Sequence, residues 1–485
     1  MHARLLIDGE WVEADGGGRF DVCDPATGAT VGSAAAGSEV DVRRAVDAAA
    51  AALPGWRATA AVDRSKILRR AAAVVRERAE QIAATMTAEQ GKPLAESRGE
   101  VEYAASFFDW FAGEAERAYG QVVPAMNAAN RVLVLPQPVG VAAAITPWNF
   151  PAALVARKLA PAMAAGCTSI VKPAEATPLT AAALLAAVTD AGTPPGVANL
   201  VTLADPRPFS AAIFADQRVR KVSFTGSTEV GKHLIRMSAD QVKRVSLELG
   251  GHAPYVVFAD ADLDQAVDGI MASKFRNAGQ TCVCANRVYV QRPVYEQVLA
   301  MLATRTAALT VGRGTEPGVE IGPLIDAKAV EKVDAHVRDA VDKGARLLAG
   351  GTRLTDGAFA EGSFYAPTVL DGISPEMRIW TEETFGPVAG VTAFDSEEEA
   401  IRLANDSVYG LSAYFHTRDY ARLLRVAEQL EYGVVGANTG IISAANVPFG
   451  GMKESGYGRE GGSLGIDEYL EHKYVLVADV SQTRR

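Results

Sequence analysis

Three segments carry side chains that could act together on a carbonyl carbon. Cys282 lies in Phe275-Arg-Asn-Ala-Gly-Gln-Thr-Cys-Val-Cys-Ala-Asn286, among small and polar neighbours and reached through a glycine, a poor setting for core packing. As thiolate it is a nucleophile. Asn149, in Pro147-Trp-Asn-Phe-Pro151, offers an amide donor to an oxyanion. Glu248, in Glu248-Leu-Gly-Gly251, offers a carboxylate base on a mobile stretch of backbone. Each has an ordinary alternative. A buried cysteine is often a small hydrophobe, an asparagine between prolines often serves a turn, and most glutamates are simply solvated. For Asn149 the two readings are even on the residues alone.

The chain that must position these groups has 485 residues, enough for two or three domains. It is 48% hydrophobic and 22% charged with net charge −10, which argues against a general affinity for nucleic acid or anionic membrane. Four cysteines, at 23, 167, 282 and 284, are too few for a disulfide framework and lack the spacing of a zinc site, so no metal is expected. No sustained apolar run suggests a leader or a membrane span, and a cytoplasmic protein is expected.

Helical patterns fill 39 to 118, and Arg131–Leu135 reads as a strand outside them. Apolar, β-prone runs then recur at Val139–Ile145, Thr168–Val171, Val197–Leu203, Val219–Phe224 and Val245–Leu249, with helical patterns at 152–165, 178–191 and 228–238 between them. That alternation predicts βαβ crossovers, a parallel sheet and a nucleotide site at the carboxyl ends of its strands. A second alternation runs from about 263 to 440, with helices near 263–277, 295–309, 326–343 and 418–430, and Tyr469–Val477 looks like a last strand. There is no repeat or low-complexity linker, so the parts should pack as one unit.

Two motifs mislead. Gly226-Ser-Thr-Glu-Val-Gly-Lys232 matches a phosphate loop until its last position, where His233 replaces the Ser or Thr that would ligate magnesium. A strand–glycine–helix turn survives, with Ser227 as helix cap and anion-attracting N-terminus. Gly456-Tyr-Gly-Arg-Glu-Gly461 spells a dinucleotide fingerprint, but with no strand before it and no βαβ unit after it, and is expected to be a flexible or tightly turned surface loop.

Pro147–Pro151, Lys172-Pro-Ala-Glu175, Phe224–Gly231, Glu248–Gly251, Gly279-Gln-Thr-Cys282, Glu383-Thr-Phe-Gly-Pro387 and Pro448-Phe-Gly-Gly451 follow one another as in the aldehyde dehydrogenase superfamily, which the chain resembles over essentially its whole length. The resemblance implies an α/β protein with a Rossmann-like parallel-sheet cofactor domain (1–118 and 137–248), a second α/β catalytic domain (249–448) and a small β oligomerisation segment (119–136 and 466–485). It implies Cys282 as nucleophile, Asn149 with the Cys282 N–H as oxyanion donors, and Glu248 as base for thioester hydrolysis; relatives that pass the acyl group to coenzyme A generally lack that base. It places Trp148, Lys172, Glu175, Gly226, Ser227, Leu249, Glu383 and Phe385 at the cofactor. A carboxylate at 175 would repel a 2′-phosphate, so NAD is expected. NADP stays open, because the loop Ala204–Ser210 holds two prolines and Arg207 where relatives usually have glycines.

Within the superfamily, Lys274–Cys284 and Asn438–Ser443 are most similar to succinate-semialdehyde dehydrogenases. That likeness assigns Arg157, Arg276 and Ser443 to a distal carboxylate, consistent with guanidinium chemistry; the alternative is structural salt bridges. Glutarate semialdehyde, or a neutral aliphatic or amino aldehyde, is the alternative substrate, and a catalytically idle binding protein on this fold the remote alternative. Cys284 could close a labile disulfide with Cys282 or simply pack. His252 receives no role. The family's assembly implies a homodimer or homotetramer.

Overall fold

In the computed structural model, which describes residues 1–478, an eight-stranded sheet runs Gly456–Tyr457, Arg244–Glu248, Val219–Thr225, Val141–Ile145, Thr168–Lys172, Ala198–Leu200, Leu5–Ile7, Glu10–Val12. The five central strands are parallel. Their residues are buried on both faces, which is why they read as unbroken apolar runs. Val141–Ile145 is in the middle; the next two strands in the chain add on one side and the following two on the other. The order therefore reverses between Val141–Ile145 and Val219–Thr225, where a crevice opens at the carboxyl ends. Pro147–Phe150, Gly226–Ser227 and Leu249 all leave strands at that edge.

The helices Ala61–Glu77, Leu94–Arg117 and Ala153–Ala165 share a core built on Leu68, Val75, Phe107, Phe108, Phe111 and Leu159. Leu94–Arg117 brings Glu96, Glu100 and Tyr103 to the crevice.

A seven-stranded sheet forms the second half, in the order Arg346–Ala349, Thr368–Asp371, Val388–Phe394, Ala285–Gln291, Ala253–Val257, Ser412–His416, Val434–Ala437. All but the first edge strand are parallel. Cys282 precedes one of its strands, and Glu383 and Phe385 precede another. A third, antiparallel sheet joins Gln121–Val123, Arg131–Pro138 and Leu470–Val477 and leaves Val122, Tyr474 and Leu476 exposed. Residues 479–485 of the expected tail lie outside the described residues. No helix among the described residues is long and apolar enough to cross a membrane.

The structure corrects four expectations. Gly456–Gly461 is no surface loop: Gly456–Tyr457 is a strand on Arg244–Glu248, and Glu460 is buried. The stretch after Ala204 is not an irregular loop to its end, because Arg207–Ala215 is a helix that Pro206 and Pro208 start rather than stiffen. The helix expected over 263–277 ends at Lys274, and the backbone turns left-handed from Asn277. The strand expected over 197–203 is confined to Ala198–Leu200. A helix at Glu397–Asn405 joins those expected in the second half.

Candidate active site

A cavity of about 700 Å³ lies between the two large sheets, lined among others by Asn149, Arg157, Arg276, Cys282, Glu383 and Ser443. Trp148, Gly226, Ser227, Leu249 and Phe385 also line it. Lys172, Glu175, Glu248 and Cys284 do not. Lys172 and Glu175 pair at 2.5 Å at the end of the neighbouring strand. Glu248 is set back behind the wall, and Cys284 is buried away from it.

Cys282 is reached through a strained turn. Asn277, Ala278 and Gly279 all have positive φ (51°, 53° and 74°). A left-handed residue other than glycine costs about 1 kcal/mol or more, and Gly279 cannot carry a Cβ, which would sit 2.1 Å from the Gly386 carbonyl. Side-chain bonds hold the turn in place. The Asn277 amide donates to the Asn149 carbonyl at 3.0 Å, and its Oδ1 accepts from Gln90 at 2.9 Å. The Asn277 backbone N–H donates to both oxygens of Glu96.

Asn149 is held from the other side. Its backbone carbonyl accepts from Lys92 Nζ at 2.7 Å, and its Nδ2 donates to the Gln280 carbonyl at 3.0 Å. An amide nitrogen has two hydrogens, so one remains for an oxyanion in the cavity that Cys282 lines. Lys92 is buried and paired with Glu100 at 2.5 Å. The other Glu100 oxygen accepts the N–H groups of Ala152 and Ala153, which open the helix Ala153–Ala165.

Burial pushes the Cys282 thiol up to about 12; Arg157 opposes the rise, and Glu383 and Glu248 add to it. Glu248 is held well above the usual carboxylate range by burial and then by Glu460, against Arg157 and Lys158, and its Oε2 has no hydrogen-bond partner. Glu460 is anchored by Lys158 at 2.5 Å, with Arg157 Nε 3.6 Å away. Burial raises Glu383 to about 7, although its Oε1 accepts the Gly251 N–H at 3.0 Å. Burial thus disfavours the charged forms of both Cys282 and Glu248, and Arg157 opposes it at each.

Arg157 stacks 4.0 Å above the Phe449 ring and donates to the Tyr103 hydroxyl at 2.8 Å. Arg276 lies 5.3 Å from the Phe150 ring centroid; its Nε has no partner, and it makes no ion pair among the described residues. The salt-bridge alternative therefore applies in part to Arg157 and not to Arg276. His252 is buried against the Trp380 carbonyl at 2.9 Å, a structural role.

The residues present fit a dinucleotide. Ser227 caps the helix Thr228–Ser238, accepting from the Val230 N–H, which leaves its own O–H free to donate. Beside it, the buried Thr225 hydroxyl on the cavity wall has no partner. Trp148 and Phe385 meet edge to face with centroids 5.6 Å apart.

Comparison with known proteins decides the family: residues 11–475 match the model described as "Aldehyde dehydrogenase family". The chain belongs to that family. It is 51% identical over 98% of its length to the NADP(+) succinate-semialdehyde dehydrogenase of Escherichia coli K12, covering 97% of that protein. It is 50% identical, over 98% of both chains, to the glutarate-semialdehyde dehydrogenase of Pseudomonas putida. The crystal structure of the succinate-semialdehyde dehydrogenase of Burkholderia pseudomallei matches with TM-score 0.96 at 51% identity, over 98% of each chain. The protein is thus an oxidoreductase of a family that acts on aldehydes with NAD(P).

Sequence reasoning missed Lys92, Glu100, Asn277, Lys158 and Glu460. Only Glu460 had a local signal, since it sits in the glycine-rich segment whose fingerprint reading failed. The burial of Cys282 generates a pH prediction. Peptide-resolved alkylation of Cys282 by iodoacetamide should keep climbing about tenfold per pH unit up to about pH 9, whereas an ordinary thiol levels off near its pKa of about 8.5. A plateau below about pH 9 would show that the thiol is not raised.

Proposed function

We propose that the enzyme oxidises a short aldehyde bearing a distal carboxylate to the dicarboxylic acid through a thioester on Cys282, with succinate semialdehyde as substrate. The observation that carries this is Arg276, a cation on the same cavity wall as Cys282 that makes no ion pair among the described residues, its nearest acid in charge being Glu96. Arg157 and Ser443 supply further donors around it. A guanidinium binds a carboxylate through two parallel hydrogen bonds. The relatives' substrates, succinate and glutarate semialdehydes, carry such a group, and glutarate semialdehyde is the second reading.

In the reaction the Cys282 thiol passes its proton to a water in the cavity as its sulfur adds to the aldehyde carbon. The carbonyl oxygen becomes an oxyanion held by the free Asn149 hydrogen and the Cys282 N–H. Such donors typically contribute about 10²–10³ in rate. The bound dinucleotide supplies the hydride acceptor for the collapse to thioester. Glu248 then takes the proton of the water that attacks the thioester carbon, the carbon–sulfur bond breaks, and Cys282 is regenerated. To do so the Glu248 carboxylate must swing from its place beside Glu460 into the cavity. The movement is a rotation of the side chain, because the backbone after it is pinned: the Leu249 N–H donates to the Ser455 carbonyl and the Gly251 N–H to Glu383.

Lys172 and Glu175 are the residues we assign to the adenosine ribose. Arg207 is committed to Asp205 at 2.7 Å and exposed, so it adds little for a 2′-phosphate. NAD is the expected acceptor, with residues 1–118 and 137–248 as its domain and 249–448 as the catalytic domain. The exposed apolar face of the third sheet fits assembly into a dimer or tetramer, and the composition fits a cytoplasmic setting.

Three measurements check these assignments. Wild-type kcat/KM for succinic semialdehyde should exceed that for butanal by about 10²-fold, the worth of a desolvated charged contact of about 3 kcal/mol. Arg276→Ala should abolish most of that ratio while leaving butanal within a few-fold; equal loss on both substrates contradicts the assignment. NAD should be preferred over NADP, with the preference shrinking in Glu175→Gln, and sedimentation should give a dimer or tetramer. A wild-type preference for NADP, or a monomer, would overturn the corresponding reading.

A further inference from the structure

Lys274 and Cys284 are two reactive groups that the proposed reaction does not use. Lys274 ends the helix Leu263–Lys274 and is completely buried. Its Nζ donates to Cys284 Sγ at 3.0 Å and to Asn286 Oδ1 at 2.9 Å. Among the described residues it makes no ion pair with a carboxylate, so its nearest reactive neighbour is a sulfur. Cys284 is 1% exposed, and its Sγ also faces the Lys274 carbonyl at 3.7 Å and Asn286 Oδ1 at 3.8 Å. Cys282, two residues away, lines the cavity, and both cysteines are free thiols. The two sulfurs of this Cys-x-Cys pair thus have different surroundings, and the partner that Cys284 touches is an amine.

We propose that Lys274 and Cys284 form a covalent modification site, in which a peroxide inserts one oxygen between Sγ and Nζ. A gap of 3.0 Å can be closed by a single oxygen bonded to both atoms with little movement of either chain. In the first step the Cys284 sulfur attacks one peroxide oxygen. The S–O bond forms, the O–O bond breaks, and the sulfur is oxidised by two electrons to the sulfenic acid. The hydroxide released takes a proton from the Lys274 ammonium and leaves as water. In the second step a second peroxide is reduced to two waters. The sulfenic O–H and one N–H lose their hydrogens, and the N–O bond forms with two-electron oxidation of nitrogen. Overall one thiol, one amine and two hydrogen peroxide molecules give the S–O–N bridge and three waters. The peroxide is water-sized, and the cavity wall at Thr281–Val283 brings solvent within one residue of Cys284. The bridge ties the two ends of the turn that carries Cys282 into one ring.

The test is peroxide treatment of the full chain and of Cys282→Ser, followed by tryptic digestion without reductant and mass spectrometry. The peptide ending at Arg276 should be found joined to Asn277–Arg287, at the sum of the two masses plus one oxygen and minus two hydrogens. The species should form in both proteins, revert with dithiothreitol, and be missing in Lys274→Met. Should Lys274→Met not fold, formation in Cys282→Ser and reversal by thiol still decide the matter. A Cys282–Cys284 disulfide as the wild-type product would overturn the proposal. So would a Cys284 in Cys282→Ser that stays reduced or goes to sulfinic acid without joining Lys274.

Discussion

A buried ammonium sets the geometry of the site. Lys92 touches Glu100 and the Asn149 carbonyl in the dry interior, and breaking a buried ion pair by removing one partner typically costs about 3–5 kcal/mol. Glu100 in turn holds the first N–H groups of the helix Ala153–Ala165. The loop carrying Asn149 is therefore fixed at both its backbone and its following helix. From the second sheet, Asn277 reaches the same Asn149 carbonyl, and Gln280 accepts from the Asn149 amide. Asn149 and Cys282 adjoin sheets with no common strand, and this hydrogen-bond network ties their two segments together. Catalysis through a positioned oxyanion donor needs such rigidity, because small misplacement is expensive in rate.

The electrostatics of the cavity follow from the same dryness. Burial raises Cys282, Glu248 and Glu383 alike, so the resting site carries less negative charge than its residue types suggest. Arg157 is shared with Glu460, whereas Arg276 makes no ion pair among the described residues and keeps its charge on the cavity wall. Glu460, paired to Lys158, occupies a separate position from which it acts on Glu248 without entering the cavity. A base with a raised pKa is suited to take a proton from water and release it again.

Much of this was legible in the chain. The parallel strands announced themselves as apolar runs because both their faces are covered. Cys282 stood in a segment whose neighbours fitted chemistry better than packing, Asn149 and Arg276 were singled out only by the resemblance, and the structure brings all three to one cavity. Other features were hidden for physical reasons. Lys158 and Glu460 are a pair only because the chain returns to the sheet edge after some three hundred residues, and no local pattern reports a contact of that span. Lys92 and Glu100 lie within the stretch of helical patterns, and nothing in the sequence reports that they meet in a dry interior. The two prolines around Arg207 were a signal misread: proline at a first helical turn initiates a helix as readily as it stiffens a loop. The left-handed turn at 277–279 was masked by Asn277 and Ala278, whose side chains do not advertise positive φ as glycine does.

The central claim is that Cys282 carries the acyl group and Glu248 releases it. The most direct measurement is rapid-quench mass spectrometry of Glu248→Gln mixed with succinic semialdehyde and NAD. The expected result is one equivalent of NADH formed in a burst, with the Cys282 peptide heavier by a succinyl group and turnover slowed by about 10²–10⁴-fold. Steady turnover at the wild-type rate, or a burst with the acyl group absent from Cys282, would contradict it.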